Sequence, residues 1–179
     1  LEPRYALLQR PRVMSKLVPR MRELARAAAR AGIGMTIDAE EADRLDLSLD
    51  VLEALARDEA TREWGGLGLA VQAYGRRAPL VIDWVVQLAR STGRRMTVRL
   101  VKGAYWDTEI KRAQERGLRS FPVYTNKAAT DVSYLVCVRR LFAAADVIYP
   151  QFATHNAFTV AAVLELAPPG ARYEMQRLH

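Results

Sequence analysis

The sequence predicts an α/β fold with a parallel sheet, and a barrel in preference to an open doubly wound sheet. Three observations lead there. Strand-like and helical segments alternate along the chain, with about 25–35 residues from one strand to the next, the size of one strand–helix unit. The strand-like segments end, one after another, in polar residues: Asp38, Gln72, Arg99 to Lys102, Thr125 to Lys127, Gln151 to His155 and Gln176 to His179. Polar groups at successive strand ends make a shared rim, where barrel enzymes carry their chemistry. Finally, no glycine-rich turn follows the first strand, as an open dinucleotide-binding sheet would favour; "GIGMTI" precedes or opens a strand, and "GGLG" at 65–68 fails for the same reason.

The elements follow in order. Val13, Leu17, Met21, Leu24 and Ala28 recur every three or four residues and mark a helix ending at Gly32. "IGMTID" reads as a short strand closing on Asp38, and Leu45, Leu49, Leu52 and Leu55 line one face of a second helix. "LGLAVQ" is a strand and "LVIDWVVQLAR" a helix; "MTVRLVKG" is a strand and "TEIKRAQERG" an exposed helix with a glycine stop at Gly117. "FPVYTNK" is a weaker strand with Pro122 near its start, and "DVSYLVCVRRLFAAA" is a largely buried helix. "VIYPQFATH" is a strand, "FTVAAVLELA" a helix, and "RYEMQRLH" a sixth strand.

With 179 residues, 50% hydrophobic and 26% charged, residues 1–179 are expected to be one domain with a sizeable core. No apolar run reaches membrane-spanning length and nothing at the start reads as a signal peptide, so a cytoplasmic location is expected. Cys137 has no second cysteine to pair with and lies in an apolar helical stretch, as core filler does. The net charge of +7 comes mostly from arginine, and no basic tail or nucleic-acid motif accompanies it. No nucleic-acid partner is expected; the arginines read as solvated helix surface.

The stretch "RLVKGAYWD" at 99–107 carries the most chemistry. Side chains alternate along a strand, so Arg99 and Val101 share one face and Lys102 lies on the other. An arginine in mid-strand needs an acceptor: an internal carboxylate, a bound anion or an electron-rich cofactor. Gly103 would let the backbone approach a ligand, and Tyr105 and Trp106 offer flat faces for stacking. Asp38 and Asp107 are expected to cap helix starts, alongside other roles. His155 and His179 with scattered acids lack metal-ligand spacing, and no serine elbow or cysteine–histidine pair is present. Lys102 or Lys127 could form a Schiff base if desolvated; beside Arg99 and His155, anion binding is the preferred reading.

"IDAEEAD", "VQAYGRR", "RLVKGAYWDTEIKRAQ", "PVYTNKAATDVSYL" and "YPQFATHN" together resemble the proline dehydrogenase domain of the bifunctional bacterial proline utilisation A flavoenzymes, in order over the whole chain. The resemblance implies a distorted (βα)8 barrel of the proline dehydrogenase type that holds FAD noncovalently. It implies oxidation of L-proline to Δ1-pyrroline-5-carboxylate by hydride transfer to the flavin N5, with electrons passed to a membrane quinone through peripheral membrane contact. By matched position, Asp38, Arg99 and Tyr105 are implied as catalytic. Gln72, Arg99, Val101, Lys102, Gly103, Ala104, Trp106, Thr125, Lys127, Thr130, Thr154, His155 and Gln176 are implied to bind FAD, and Asp38, Tyr105 and Leu178 the substrate.

The family pattern has a first strand with a substrate-side lysine before "LEPRYALLQRPRVM", and an eighth strand and last helix with paired arginines after the sixth strand here. The chain is thus expected to be an incomplete barrel of about six strands, without the DNA-binding and aldehyde dehydrogenase modules of many relatives. Unpaired strand edges predict self-association, weak FAD binding and poor activity. Asn126 and Ala128 stand where relatives often carry basic or bulky residues. The competing readings are a Schiff-base aldolase using Lys102 or Lys127, and a non-catalytic barrel fragment.

Overall fold

The computed structural model describes residues 4–177. Helix α1 (Arg10–Ala31) buries Val13, Leu17, Val18, Ala25 and Ala28 and stops where Gly32 turns left-handed at φ 66°. Strand β1 (Met35–Ile37) follows, then α2 (Leu45–Ala56), which buries Leu47, Val51, Leu52 and Leu55. The remaining elements are β2 (Leu67–Gln72), α3 (Ala78–Thr92), β3 (Met96–Val101), α4 (Trp106–Glu115), α5 (Lys127–Ala143), β4 (Ile148–Ala153), α6 (Ala157–Leu166) and β5 (Glu174–Gln176). Short 3-10 turns sit at Leu7–Gln9, Ala42–Arg44 and Glu59–Thr61.

The five strands form one parallel sheet in the order β1-β2-β3-β4-β5. Each helix of the series α1, α2, α3, α5, α6 packs on the next. On β3, Met96, Val98 and Leu100 are fully buried while Thr97, Arg99 and Val101 are half-buried; β4 alternates in the same way, with Ile148 and Phe152 buried. The buried set faces the helices: Tyr134, Cys137, Val138 and Leu141 of α5 share its core. Phe142, Phe152 and Tyr173 close that core as a ring cluster with centroids 5.2–5.8 Å apart. Cys137 is buried there, its thiol pushed up to about 11 by burial, as expected of core filler.

One predicted strand is absent. "FPVYTNK" does not join the sheet, and β3 pairs directly with β4. The only ladder contact of this segment is a single antiparallel bridge, Val123 to Gly75. Pro122 has no N–H to give a ladder. Its carbonyl instead accepts from Arg76 N (3.1 Å), and Tyr124 N donates to Tyr74 O (2.8 Å), so the segment hooks onto the loop after β2. Among the described residues the sheet therefore has five strands where the sequence predicts six.

Candidate functional site at the strand ends

The half-buried face of the sheet brings distant residues into rows. Ala70, Arg99, Gln151 and Glu174 are register partners across β2 to β5; Gln72 stands opposite Val101, and Ala153 opposite Gln176. Arg99 joins three strands: its Nε donates to Gln176 Oε1 (2.9 Å) and its Nη1 to Asp38 Oδ1 (2.9 Å), just past the end of β1. Gln176 in turn donates to Glu174. The mid-strand arginine has thus found a carboxylate and an amide, which leaves part of its five-donor fork for other acceptors. Asp38 is exposed and caps no helix, contrary to expectation: α2 begins at Leu45, and the Asp38 carboxylate is taken up by Arg99. Asp107 is likewise not a cap; it lies inside the first turn of α4, whose N-cap is Tyr105. Gln151, next to Arg99 in its row, carries a buried Oε1 without a hydrogen-bond partner.

Gln72, at the end of β2, ties its two neighbours together. Its Nε2 donates to Glu40 O (2.8 Å) in the loop after β1, and its Oε1 accepts from Ala104 N (2.9 Å) in the loop after β3. Gly103 lies in that second loop at φ 145°, but the space of its missing Cβ belongs to the protein: a Cβ there would fall 2.3 Å from the Tyr74 ring. The glycine accommodates Tyr74 on that side, where the sequence suggested close approach of a ligand. Tyr74 is buried, its hydroxyl raised to about 12 first by burial and then by the nearby charge of Glu109.

A cationic corner lies at the start of α5. Lys102 Nζ and Lys127 Nζ both bind Asp131, at 2.5 and 3.0 Å. These bonds, Lys102 first, hold the Asp131 carboxyl below its ordinary range. Asn126 caps the helix through Ala128 N (2.8 Å), and Thr130 is buried in its first turn. Trp106 is partly exposed and donates its indole N–H to Tyr124 O (2.9 Å), beside Thr125. Paired on a carboxylate, neither lysine has the unpaired, desolvated setting a Schiff-base amine requires.

Across the rim, Thr154 N donates to Gln176 O (3.2 Å) and Thr154 Oγ1 accepts from Asn156 N (3.1 Å), while His155 is exposed. The structure therefore joins Asp38, Arg99 and Gln176 directly, Gln72 to Ala104, and Lys102 to Lys127 through Asp131. Leu178 and His179 lie outside the described residues. A cavity of about 470 Å³ opens beside this rim; Asp38, Gln72 and Tyr74 line it, whereas Arg99, Lys102, Lys127 and His155 do not. Among the described residues, no helix is long and apolar enough to cross a membrane.

Residues 2–179 match the family model described as proline dehydrogenase. The chain is 55% identical to the bifunctional protein PutA of Salmonella typhimurium over 183 aligned residues, which cover all of this chain and 14% of that protein. Its fold superimposes on a crystal structure of a mutant Bradyrhizobium japonicum proline utilization A with a TM-score of 0.98 and 56% identity, covering 100% of this chain and 18% of the other. The proline utilization A of Bdellovibrio bacteriovorus, inactivated by N-propargylglycine, matches 99% of this chain and 19% of its own with a TM-score of 0.93 and 32% identity. The chain thus spans about one-seventh of the length of the curated relative it matches, at 14%.

Proposed function

The chain belongs to the proline dehydrogenase family, and on that premise we propose that it forms the sheet of a flavin-dependent site that oxidises L-proline to Δ1-pyrroline-5-carboxylate. The observation that carries the reading is Arg99, fixed by Asp38 and Gln176 on the open face of a parallel sheet. Sequential strand order, with helices on one face and half-buried polar residues on the other, supports a (βα)8 barrel whose interior is that second face. A doubly wound sheet would reverse its strand order at a switch point, and this one does not.

The residues present fit FAD. A helix N-terminus flanked by Lys102 and Lys127, with Thr125 and Thr130 beside it, suits a pyrophosphate. Arg99, Gln72, Val101, Ala104 and Gln176 offer a face of mixed donors and apolar surface for the isoalloxazine, and Trp106, Thr154 and His155 its surroundings. When bound, FAD supplies the acceptor for the hydride leaving proline C5, and the amine loses a proton. The protein's share is placement and charge. Arg99 presents a fixed cation that needs no reorganisation as negative charge develops. Asp38 holds that cation in position, and Tyr105 walls the substrate side. We further propose that the electrons pass to a membrane quinone and that the protein is cytoplasmic with peripheral membrane contact, as in the family.

The test is the visible absorption spectrum. Protein extended at both ends to the complete family barrel and supplied with FAD should show a bound-flavin band that bleaches when L-proline is added without oxygen. A band unaffected by L-proline would end the reading. Arg99→Met should slow bleaching by about 10²–10³-fold, the cost of removing one fixed electrostatic donor.

A further inference from the structure

We infer that Glu109 is a positioning residue, holding the loop that carries Asp38 against the loop that carries Tyr105. Helix α4 reads as exposed in the sequence, yet Glu109 is only 5% accessible. Its Oε1 accepts the backbone N–H of Ala42 at 2.6 Å, 67 residues away in the chain. The same helical turn holds Tyr105, since Glu109 N donates to Tyr105 O (2.9 Å). Gln72 fastens the other side by binding Glu40 O and Ala104 N. The result is a closed ring: the 38–42 segment to Glu109, Glu109 to Tyr105, Tyr105 along the chain to Ala104, Ala104 to Gln72, and Gln72 back to Glu40. It fixes the residues on either side of Arg99 relative to each other.

Two further ties continue from the same side of α4, Arg112 to Glu41 (3.2 Å) and the C-cap residue Arg116 to Asp43 (3.3 Å). They matter less. Arg116 and Asp43 have side chains 56% and 46% exposed, and exposed ion pairs contribute little. A buried carboxylate on a backbone N–H is a charge-assisted bond of greater strength, and losing it strands the Ala42 donor.

The inference has two readouts. The first is hydrogen exchange, measured on the full chain by mass spectrometry. Glu109→Ala should speed exchange in 39–44 and 103–105 by about tenfold or more. Glu109→Gln retains a carbonyl acceptor but loses the charge assistance, so it should exchange closer to wild type than to Glu109→Ala. Ala42→Pro attacks the bond from the other side. Glu41 already has the extended backbone that precedes proline comfortably (φ −63°, ψ 155°), so this variant removes the donor without demanding a new fold. It should loosen 103–105 as Glu109→Ala does. The second readout rests on the proposed function and is taken in the barrel completed at both ends: KM for L-proline should rise several-fold in Glu109→Ala and Ala42→Pro and stay close to wild type in Glu109→Gln. Unchanged exchange in Glu109→Ala and Ala42→Pro, or a Glu109→Gln protein as loose as Glu109→Ala, would overturn the inference. A completed wild-type barrel that does not oxidise proline would refute the proposed activity, while the exchange data would still decide the role of Glu109.

Discussion

Replacing Gly103 by alanine should destabilise the protein through two separable costs. The first is the backbone. A φ of 145° lies in a region that L residues rarely occupy, at a cost of about 1–3 kcal/mol. The second is steric. The new Cβ would sit 2.3 Å from Tyr74 Cδ2 and 2.4 Å from Cγ. Carbon atoms rest at about 3.5–4.0 Å, so the loop or the ring must yield by more than about 1 Å. Tyr74 has little room to yield. It is 4% accessible, its N–H is bound to Lys102 O (2.7 Å) and its carbonyl accepts from Tyr124 N (2.8 Å). Overpacking of this kind costs about another 1–3 kcal/mol, for a total of about 2–6 kcal/mol. Urea unfolding of wild type, Gly103→Ala, Tyr74→Ala and the double variant separates the parts. In the Tyr74→Ala background the alanine at 103 should cost only the backbone share, giving a coupling of about 1–3 kcal/mol. A Gly103→Ala protein within about 0.5 kcal/mol of wild type, or one equally costly in both backgrounds, would refute the proposed packing.

Three other outcomes are expected. Asp58 is buried and bidentate to Arg26 (3.0 and 3.0 Å), which holds its carboxyl below the ordinary range; Asp131 is held low by Lys102. Groups lowered by folding stabilise the protein above their unfolded pKa of about 3.9 and lose that contribution as pH falls through the folded value. Tm should therefore drop below about pH 4, and Asp58→Asn should flatten that drop while lowering Tm at pH 7. Phe152→Ala opens the ring cluster with Phe142 and Tyr173 and should cost about 3–5 kcal/mol in chemical denaturation. Trp106→Phe keeps the flat ring but loses the bond to Tyr124 O, a loss of about 0.5–1.5 kcal/mol in the same assay.

Periodicity carried most of the fold. The strands at 67–72 and 96–101, and the leucine face of α2, stand where alternation and helical spacing put them. Only β3 buries one clean face, where burial and local pattern agree; β2 is buried on both faces, and α2 buries Leu47 and Val51 more fully than the predicted Leu45 and Leu49. Pro122 is where pattern failed: the segment around it is β-like in composition, but its hydrogen bonds go to a neighbouring loop. At the site, Arg99 could be singled out because a cation in mid-strand demands an acceptor, although its choice of Asp38 and Gln176 needed strand order. Gly103 was legible as special, yet the reason, Tyr74, lies 29 residues earlier and leaves no local trace. Glu109 and Asp131 escaped altogether. Each is an acid on a helix with ordinary charge patterning, and only tertiary placement turns one toward Ala42 N and the other toward two lysines. Asn126 was the findable miss, since asparagine just before an apolar helical run is a standard N-cap signal.

The most direct test is a crystal structure of the protein with FAD bound. The isoalloxazine ring should lie across the open face beside Arg99, Gln72 and Gln176, with the pyrophosphate near Lys102, Lys127 and the start of α5. Flavin density placed away from Arg99, with the guanidinium still held by Asp38 and Gln176 and facing solvent, would contradict the assignment of this strand-end rim as the redox site.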